Sequence, residues 1–269
     1  MSRKQTMFLF LILAAAVAVA QDIPRANPMY SPGDTAEVQP PGWLLQQGNA
    51  LELEKRGDDL RAQKDFLQAM DFYKAALKKS GTAALLHNKM GMCNLMLARY
   101  KEARKDFQKA TKADKTMAEA WNNLGVVYYL QKKYRPAIKN YKKAVELRQS
   151  ASFHSNLGTA YFAKKEYERA AEHYQLAFTL DPSVFDRSSQ LGLSARMGSP
   201  EEKARYAYMI AKMYAKNGDM DKTLQYLRRA MEEGYKEIDN VYKDNEFATI
   251  RKDQRFAELM ATKPVAIAQ

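Results

Sequence analysis

The sequence has little of what a catalytic centre is usually built from. Cys93 is the only cysteine among 269 residues. No disulfide can form within the chain, so the fold must rest on packing. Cys93 sits in GMCNLML, at an apolar helix position, where burial as a small hydrophobe is expected. His87, His154 and His173 are the only histidines, and none is spaced with a second histidine and a carboxylate as a zinc site requires. There is no Gly-rich phosphate loop and no Ser elbow sequence. Between residues 42 and 181 Pro136 is the single proline, which suits long helices. Tyr, Lys and carboxylates are abundant, but packing and solubility account for them. No catalytic residue, cofactor or metal is expected, and the chain is expected not to be an enzyme.

What is present begins with a targeting pattern. Arg3 and Lys4 precede an unbroken apolar run from Met7 to Ala20, and Ala18 and Ala20 offer small residues where a signal peptidase reads. Fourteen residues of helix rise about 21 Å, short of a hydrocarbon core of about 30 Å. Residues 1–20 are expected to be a signal peptide cleaved between Ala20 and Gln21, with a periplasmic or secreted product. No cysteine follows the run, which closes the lipoprotein route. Loss of Arg3 and Lys4 takes the formal charge from +12 to +10, a basic balance that favours acidic partners or anionic surfaces. Residues 21–45 carry Pro24, Pro28, Pro32, Pro40 and Pro41 and are expected to form an extended leader.

From about Gln46 the text becomes helical and repeats. Gly57, Gly91 and Gly125 are 34 apart, Gly158 follows after 33 and Gly192 after 34. Alanine stands 12 residues beyond the first four glycines, at Ala69, Ala103, Ala137 and Ala170. Four further on come Tyr73, Phe107, Tyr141 and Tyr174, and three beyond those Ala76, Ala110, Ala144 and Ala177. Spacings of four and three keep these residues on one helix face. The glycine lets two helices approach and the aromatic fills the space beside it. One hairpin cannot bury both its faces, so such units come in stacks.

This pattern resembles the tetratricopeptide repeat family. Trp121, Leu124, Gly125, Tyr128, Ala137, Tyr141 and Ala144 match its signature, as do Leu157, Gly158, Tyr161, Ala170, Tyr174, Ala177 and Pro182. The copy around Gly91 has Asn94 where tyrosine is usual, and the copy around Gly57 has Arg56 in place of leucine. The resemblance implies an all-α fold, a right-handed superhelical solenoid of antiparallel helix hairpins. Four repeats are expected over 46–182, degenerate repeats over 183–236, closing helices over 237–262 and a flexible tail over 263–269. In the degenerate part, Glu201 to Lys216 fits two frames. It is either a second helix in phase with Gly192 or a first helix paired with Asp219 to Glu233. Phe247, Ile250, Phe256 and Leu259 are expected to cover the last apolar face.

The same resemblance places a concave groove on the first helices. It offers Asn88, Lys89, Met92 and Leu95 from one repeat, Glu119, Asn122, Asn123, Val126 and Tyr129 from the next, and Ser155, Asn156, Thr159 and Phe162 from the third. Asn123, Asn156 and Gln190 recur at one register position, and a row of amides, which both donate and accept, can hold the backbone of an extended peptide. Tyr129 and Phe162 would add apolar contact. The family's way of gripping a terminal carboxylate is not expected, because Glu54, Asp58, Ser152 and Asn156 stand where its basic and amide residues would. His87 and His154 share the register position of Trp121, which makes them packing residues.

Lys101, Lys105, Lys109, Lys112, Lys132, Lys133, Lys139, Lys142 and Lys143 fall on second helices or turns, where they solubilise the convex surface. Three functions compete: a non-catalytic envelope adaptor that binds an extended peptide, a structural subunit of an envelope complex using convex or end surfaces, and an accessory unit that recruits substrates to an enzyme. The expected partner is a protein or peptide. Nucleic acid is set aside because of the export pattern, while peripheral contact with an anionic membrane and self-association stay open.

Overall fold

A computed structural model describes residues 42–79, 82–185 and 199–264. The described residues are helical throughout, with no strand among them. The chain forms two compact units, divided after Arg187.

In the first unit, α1 (Gly42–Gln46) precedes four helix pairs. These are α2 (Ala50–Ala62) with α3 (Phe66–Lys78), α4 (Ala83–Met96) with α5 (Tyr100–Ala113), α6 (Ala118–Leu130) with α7 (Tyr134–Leu147), and α8 (Ala151–Ala163) with α9 (Tyr167–Leu180). The two helices of each pair pack antiparallel on each other, α3, α5 and α7 also pack on the first helix of the following pair, and α4, α6 and α8 touch in succession. These first helices therefore make one layer and the second helices another.

The periodic residues do what their spacing demands. Ala69, Ala76, Ala103, Ala110, Ala137, Ala144, Ala170 and Ala177 have no exposed surface. A Cβ added at Gly57, Gly91, Gly125 or Gly158 would stand 2.5–2.8 Å from the ring of Tyr73, Phe107, Tyr141 or Tyr174 respectively. Real carbon contacts are about 3.5–4.0 Å, so only glycine admits the ring without a shift. The aromatic of each second helix thus lies flush on its own first helix.

The turns between paired helices are less obvious from the letters. Each first helix of the four closes on a residue in the left-handed region, and none of these is glycine: Lys64 (φ 66°), Ala98 (φ 55°), Lys132 (φ 58°) and Lys165 (φ 62°). The following residue's amide reaches back to close a Schellman motif, as in Asp65 N to Leu60 O at 2.9 Å and Lys133 N to Tyr128 O at 2.9 Å. The motif recurs because satisfying the last carbonyls outweighs the local strain of about 1 kcal/mol.

The leader is expected to run extended to residue 45, but Gly42–Gln46 is helical. Leu45 packs against the core of the first hairpin, and the Lys79 ammonium donates to the carbonyls of Gln46 and Gly48 at 2.5 and 2.7 Å. Burial of an apolar side chain and a cation on the carbonyl end stabilise the turn. The signal pattern, the rest of the leader, and Gln190, Leu191 and Gly192 lie outside the described residues.

In the second unit, α10 (Pro200–Lys216) pairs with α11 (Met220–Glu232). Of the two frames open in the sequence, Glu201 to Lys216 is thus the first helix. Ser199 caps it by accepting from Glu202 N at 3.2 Å, with Pro200 in the first turn. Gly218 (φ 78°) closes it, and Asp219 caps α11. Tyr214 stacks on Tyr226 at 5.5 Å, while Thr223 and Ala230 are fully buried. Three 3₁₀ turns (Ile238–Tyr242, Asn245–Phe247 and Ile250–Lys252) lead to α12 (Gln254–Thr262). Phe247, Ile250, Phe256 and Leu259 are buried, as the sequence suggests. Among the described residues no helix is long and apolar enough to cross a membrane.

Candidate binding face

The layer of first helices is tied together by one contact repeated at three interfaces. Each time, a residue two before the repeat glycine reaches a residue three before the preceding one. The Lys89 ammonium bonds Glu54 at 2.6 Å, and also Asp58 at 2.6 Å. Asn123 Nδ2 donates to Asn88 Oδ1 at 3.0 Å. Asn156 Nδ2 donates to Asn122 Oδ1 at 2.9 Å. Asn122 in turn donates to Asn123 Oδ1 at 3.3 Å, which joins the amides into one chain from α8 to α4.

This geometry decides how the predicted groove residues are used. Asn122 and Asn123 are 0% and 2% exposed, Asn88 is buried, and Asn156 is half-buried. Each of these contacts uses one of the two protons on an amide nitrogen, so a peptide backbone on this row would meet only the remaining donors and the accessible Asn156. Met92 and Val126 are buried beside the seam. Thr159 is buried, donates to Ser155 O at 2.8 Å and accepts from Tyr174 at 3.2 Å. Phe162 is buried with its ring edge-on to Tyr167 at 5.1 Å, and the half-buried Tyr129 lies 5.5 Å from Tyr134. The structure brings Asn88, Asn122, Asn123 and Asn156 together and leaves Lys89, Asn156 and Tyr129 partly accessible. Glu119, also assigned to this face, pairs with Arg148.

The first interface is charged where the later two are neutral. Tyr73 donates to Asp58 at 2.8 Å and accepts from Arg61 at 3.1 Å. Burial, more than the Asp58 charge, holds its hydroxyl far above the ordinary tyrosine range. Cys93 is fully buried beside this network, and burial pushes its thiol up to about 12. A thiol so shielded and so rarely ionised is a packing residue.

His87 and His154 are expected to be packing residues, and His154 meets His173. His154 Nδ1 lies 3.1 Å from His173 Nδ1, and His154 Nε2 lies 2.7 Å from Gln149 Oε1. Tyr161 stacks on His173 with the rings within 3° of parallel. Burial lowers both pKa values, with His173 adding to the effect on His154. Sequence spacing does not reveal this pair, because residues 19 apart meet only through the hairpin. His87 faces Asp106 at 3.7 Å, and burial lowers its pKa too. Among the described residues no group of three or more His, Cys, Asp and Glu side chains is arranged to hold a metal.

Comparison with known proteins agrees with this geometry. Residues 118–150 and 151–184 each match a tetratricopeptide repeat family model, residues 99–132 match a TPR repeat model, and residues 204–233 match a further tetratricopeptide repeat model. The chain therefore carries tetratricopeptide repeats. The pair at 50–78 lies outside these matches yet has the same glycine–aromatic contact. No curated protein matches the chain in sequence. Among solved structures, that of pilF from Pseudomonas aeruginosa is 18% identical with a TM-score of 0.52, over 80% of this chain and 97% of that one. The C-terminal part of a TPR repeat-containing protein from Cytophaga hutchinsonii is 16% identical with a TM-score of 0.53, over 80% and 82%. YrrB, described as a TPR protein with an unusual peptide-binding site, is 20% identical with a TM-score of 0.48, over 76% and 92%. The first two share the fold of tandem antiparallel helix pairs.

Proposed function

We propose that this chain is a non-catalytic protein-interaction scaffold of the bacterial cell envelope, which holds an extended segment of a partner against its layer of first helices. The observation that supports this most is the seam itself. Three interfaces are built from polar side chains at matched positions, and Lys89, Tyr129 and Asn156 remain partly accessible along it. A seam of this kind fixes the spacing of successive helices, and preorganised spacing lowers the cost of binding an extended chain. The amides thus position the face, and its accessible members meet the partner. Export rests on Arg3, Lys4, the Met7–Ala20 run and the small residues before Gln21.

Proximity crosslinking in the native envelope, with mass spectrometry of the linked peptides, tests the binding reading. Links from one recurring partner to α6 and α8, near Asn123 and Asn156, are expected. Links confined to second helices or to copies of the same chain would overturn it. They would favour the structural-subunit reading, to which exposed Leu176 (41%) and Leu180 (49%) on α9 lend weight. Mass measurement of the processed protein tests export separately, and the expected N-terminus is Gln21.

A further inference from the structure

The positive charge of the chain is concentrated. Residues 99–148 hold fourteen Lys and Arg against five Asp and Glu, a net +9, where the whole chain carries +12. Two second helices display it. On α5, Lys101, Lys105, Lys109 and Lys112 recur at helical spacing and are exposed. On α7, Arg135, Lys139, Lys142 and Lys143 do the same, and Lys132 and Lys133 are exposed in the turn before it. Of the five acids, Glu102 is exposed on α5 among these lysines and Asp114 accepts from Thr116, while the other three are engaged elsewhere. Asp106 turns inward, accepting from Asn94 at 2.9 Å and facing His87. Glu119 pairs with Arg148. Glu146 pairs with Lys143, which leaves the other nine of these ten cations outside every ion pair among the described residues. The patch has edges. On α3, Lys74 is paired with Asp71, and α9 carries Glu168 and Glu172 with one arginine, Arg169.

We propose that the outer faces of α5 and α7 dock on the anionic headgroups of a phospholipid bilayer. The composition of the patch selects this partner. Interfaces with folded proteins are depleted in lysine and rely on aromatic, apolar or arginine anchors. None of the exposed large hydrophobics, Leu51, Leu176, Leu180 and Tyr242, lies on α5 or α7. Nine of the ten cations are lysines. Lysine is a hydrated point charge on a flexible stem, whereas arginine presents a rigid fork to a fixed carboxylate or phosphate. A field of lysines with nothing apolar to bury suits mobile headgroups, which need no fixed register, and each such residue near an anionic surface strengthens binding by about five-fold. This surface is separate from the seam, so its test is independent of the proposed peptide face.

The test is partition of the full chain onto vesicles of phosphatidylglycerol mixed with phosphatidylcholine, against vesicles of phosphatidylcholine alone. The neutral vesicles report the contribution of the apolar run at 7–20, and the contribution of Arg3 and Lys4 beside it is common to all variants, so it cancels when they are compared. Expected are preference for the anionic vesicles, steep loss of that preference with added salt, and a loss of order 100-fold or more on combining Lys105→Gln, Lys109→Gln, Lys139→Gln and Lys142→Gln. A control set, Lys203→Gln, Lys216→Gln, Lys222→Gln and Lys236→Gln, carries the same change of net charge in the second unit and is expected to lose far less. Circular dichroism checks that both variants keep their helices. Equal partition to both vesicles, equal losses in the two variants, or binding of duplex DNA or an acidic polypeptide without binding of anionic vesicles would overturn the proposal.

Discussion

Acidification should destabilise the first unit through the histidine pair. With Gln149 Oε1 accepting from His154 Nε2, the neutral His154 has its lone pair on Nδ1 and receives the Nδ1 proton of His173. One added proton can be accommodated on the pair. A second would put two Nδ1 protons face to face across 3.1 Å. Burial lowers both folded values below the ordinary 6.5, and Lys142 deepens the effect at His173 while Glu172 opposes it. A base whose folded pKa is depressed takes up its proton more readily when unfolded. Stability from the pair is therefore complete above about pH 6.5 and falls as the pH drops through the lower folded values. Two protons limit the slope to about 2.7 kcal/mol per pH unit. Urea denaturation of the wild type and of a His154→Gln/His173→Gln double variant at a series of pH values isolates this term. It separates it from His87, which runs in the same direction, and from Asp106, whose raised pKa runs in the other. The difference between the two proteins should slope below neutrality and flatten above it. Parallel profiles would refute the reasoning, as would a wild type that gains stability relative to the variant on acidification.

Other positions make separate predictions. Gly125→Val drives a branched side chain into the Tyr141 ring, whose carbons would lie 2.6 Å from the new Cβ; a loss of about 1–3 kcal/mol is expected in thermal denaturation. Lys165→Gly relieves the left-handed residue at the α8–α9 turn (φ 62°) and should stabilise by about 1 kcal/mol, read as a higher denaturation midpoint. Asn123→Ala strips Asn88 and Asn122 of their partner and should cost about 1–3 kcal/mol. Asn156→Ala at the half-buried end of the seam should cost less, so that a drop in partner affinity there can be told from unfolding. Lys89→Ala leaves Glu54 without its cation and Asp58 with Arg61 alone at 3.5 Å, and should cost about 2 kcal/mol; introducing Glu54→Asn with Lys89→Asn should recover part of it, by recreating the amide tie of the next interface.

The repeats were legible because their signal is doubly determined. Glycine at one position and an aromatic 16 residues later are both required by a single close contact, and that contact recurs in four hairpins. The turns were not legible in the same way. Lys64, Ala98, Lys132 and Lys165 adopt the conformation that glycine usually marks, because the carbonyl bonds they close outweigh the preference of the residue. The second unit shows the limit of register as evidence. Gly192 keeps the 34-residue phase, yet α10 is the first helix of its pair and not the second. Gly218 at the actual turn and the caps at Ser199 and Asp219 carried more information than the long-range spacing. The candidate face was legible in its membership but not in its use. A side chain recurring at one register position of a solenoid faces two neighbours, a ligand in the groove and its own counterparts on the adjacent helices. Sequence periodicity cannot distinguish them, since the stacking that would align amides along a ligand also brings them within reach of one another. At the first interface the contact between helices is kept with different chemistry. Lys89 in place of an asparagine still reaches back to the preceding helix, and the residue it meets there is Glu54, not a second asparagine. The two positions have changed chemistry together, as partners across a helix interface must, and a residue held only by a peptide would have no reason to do so.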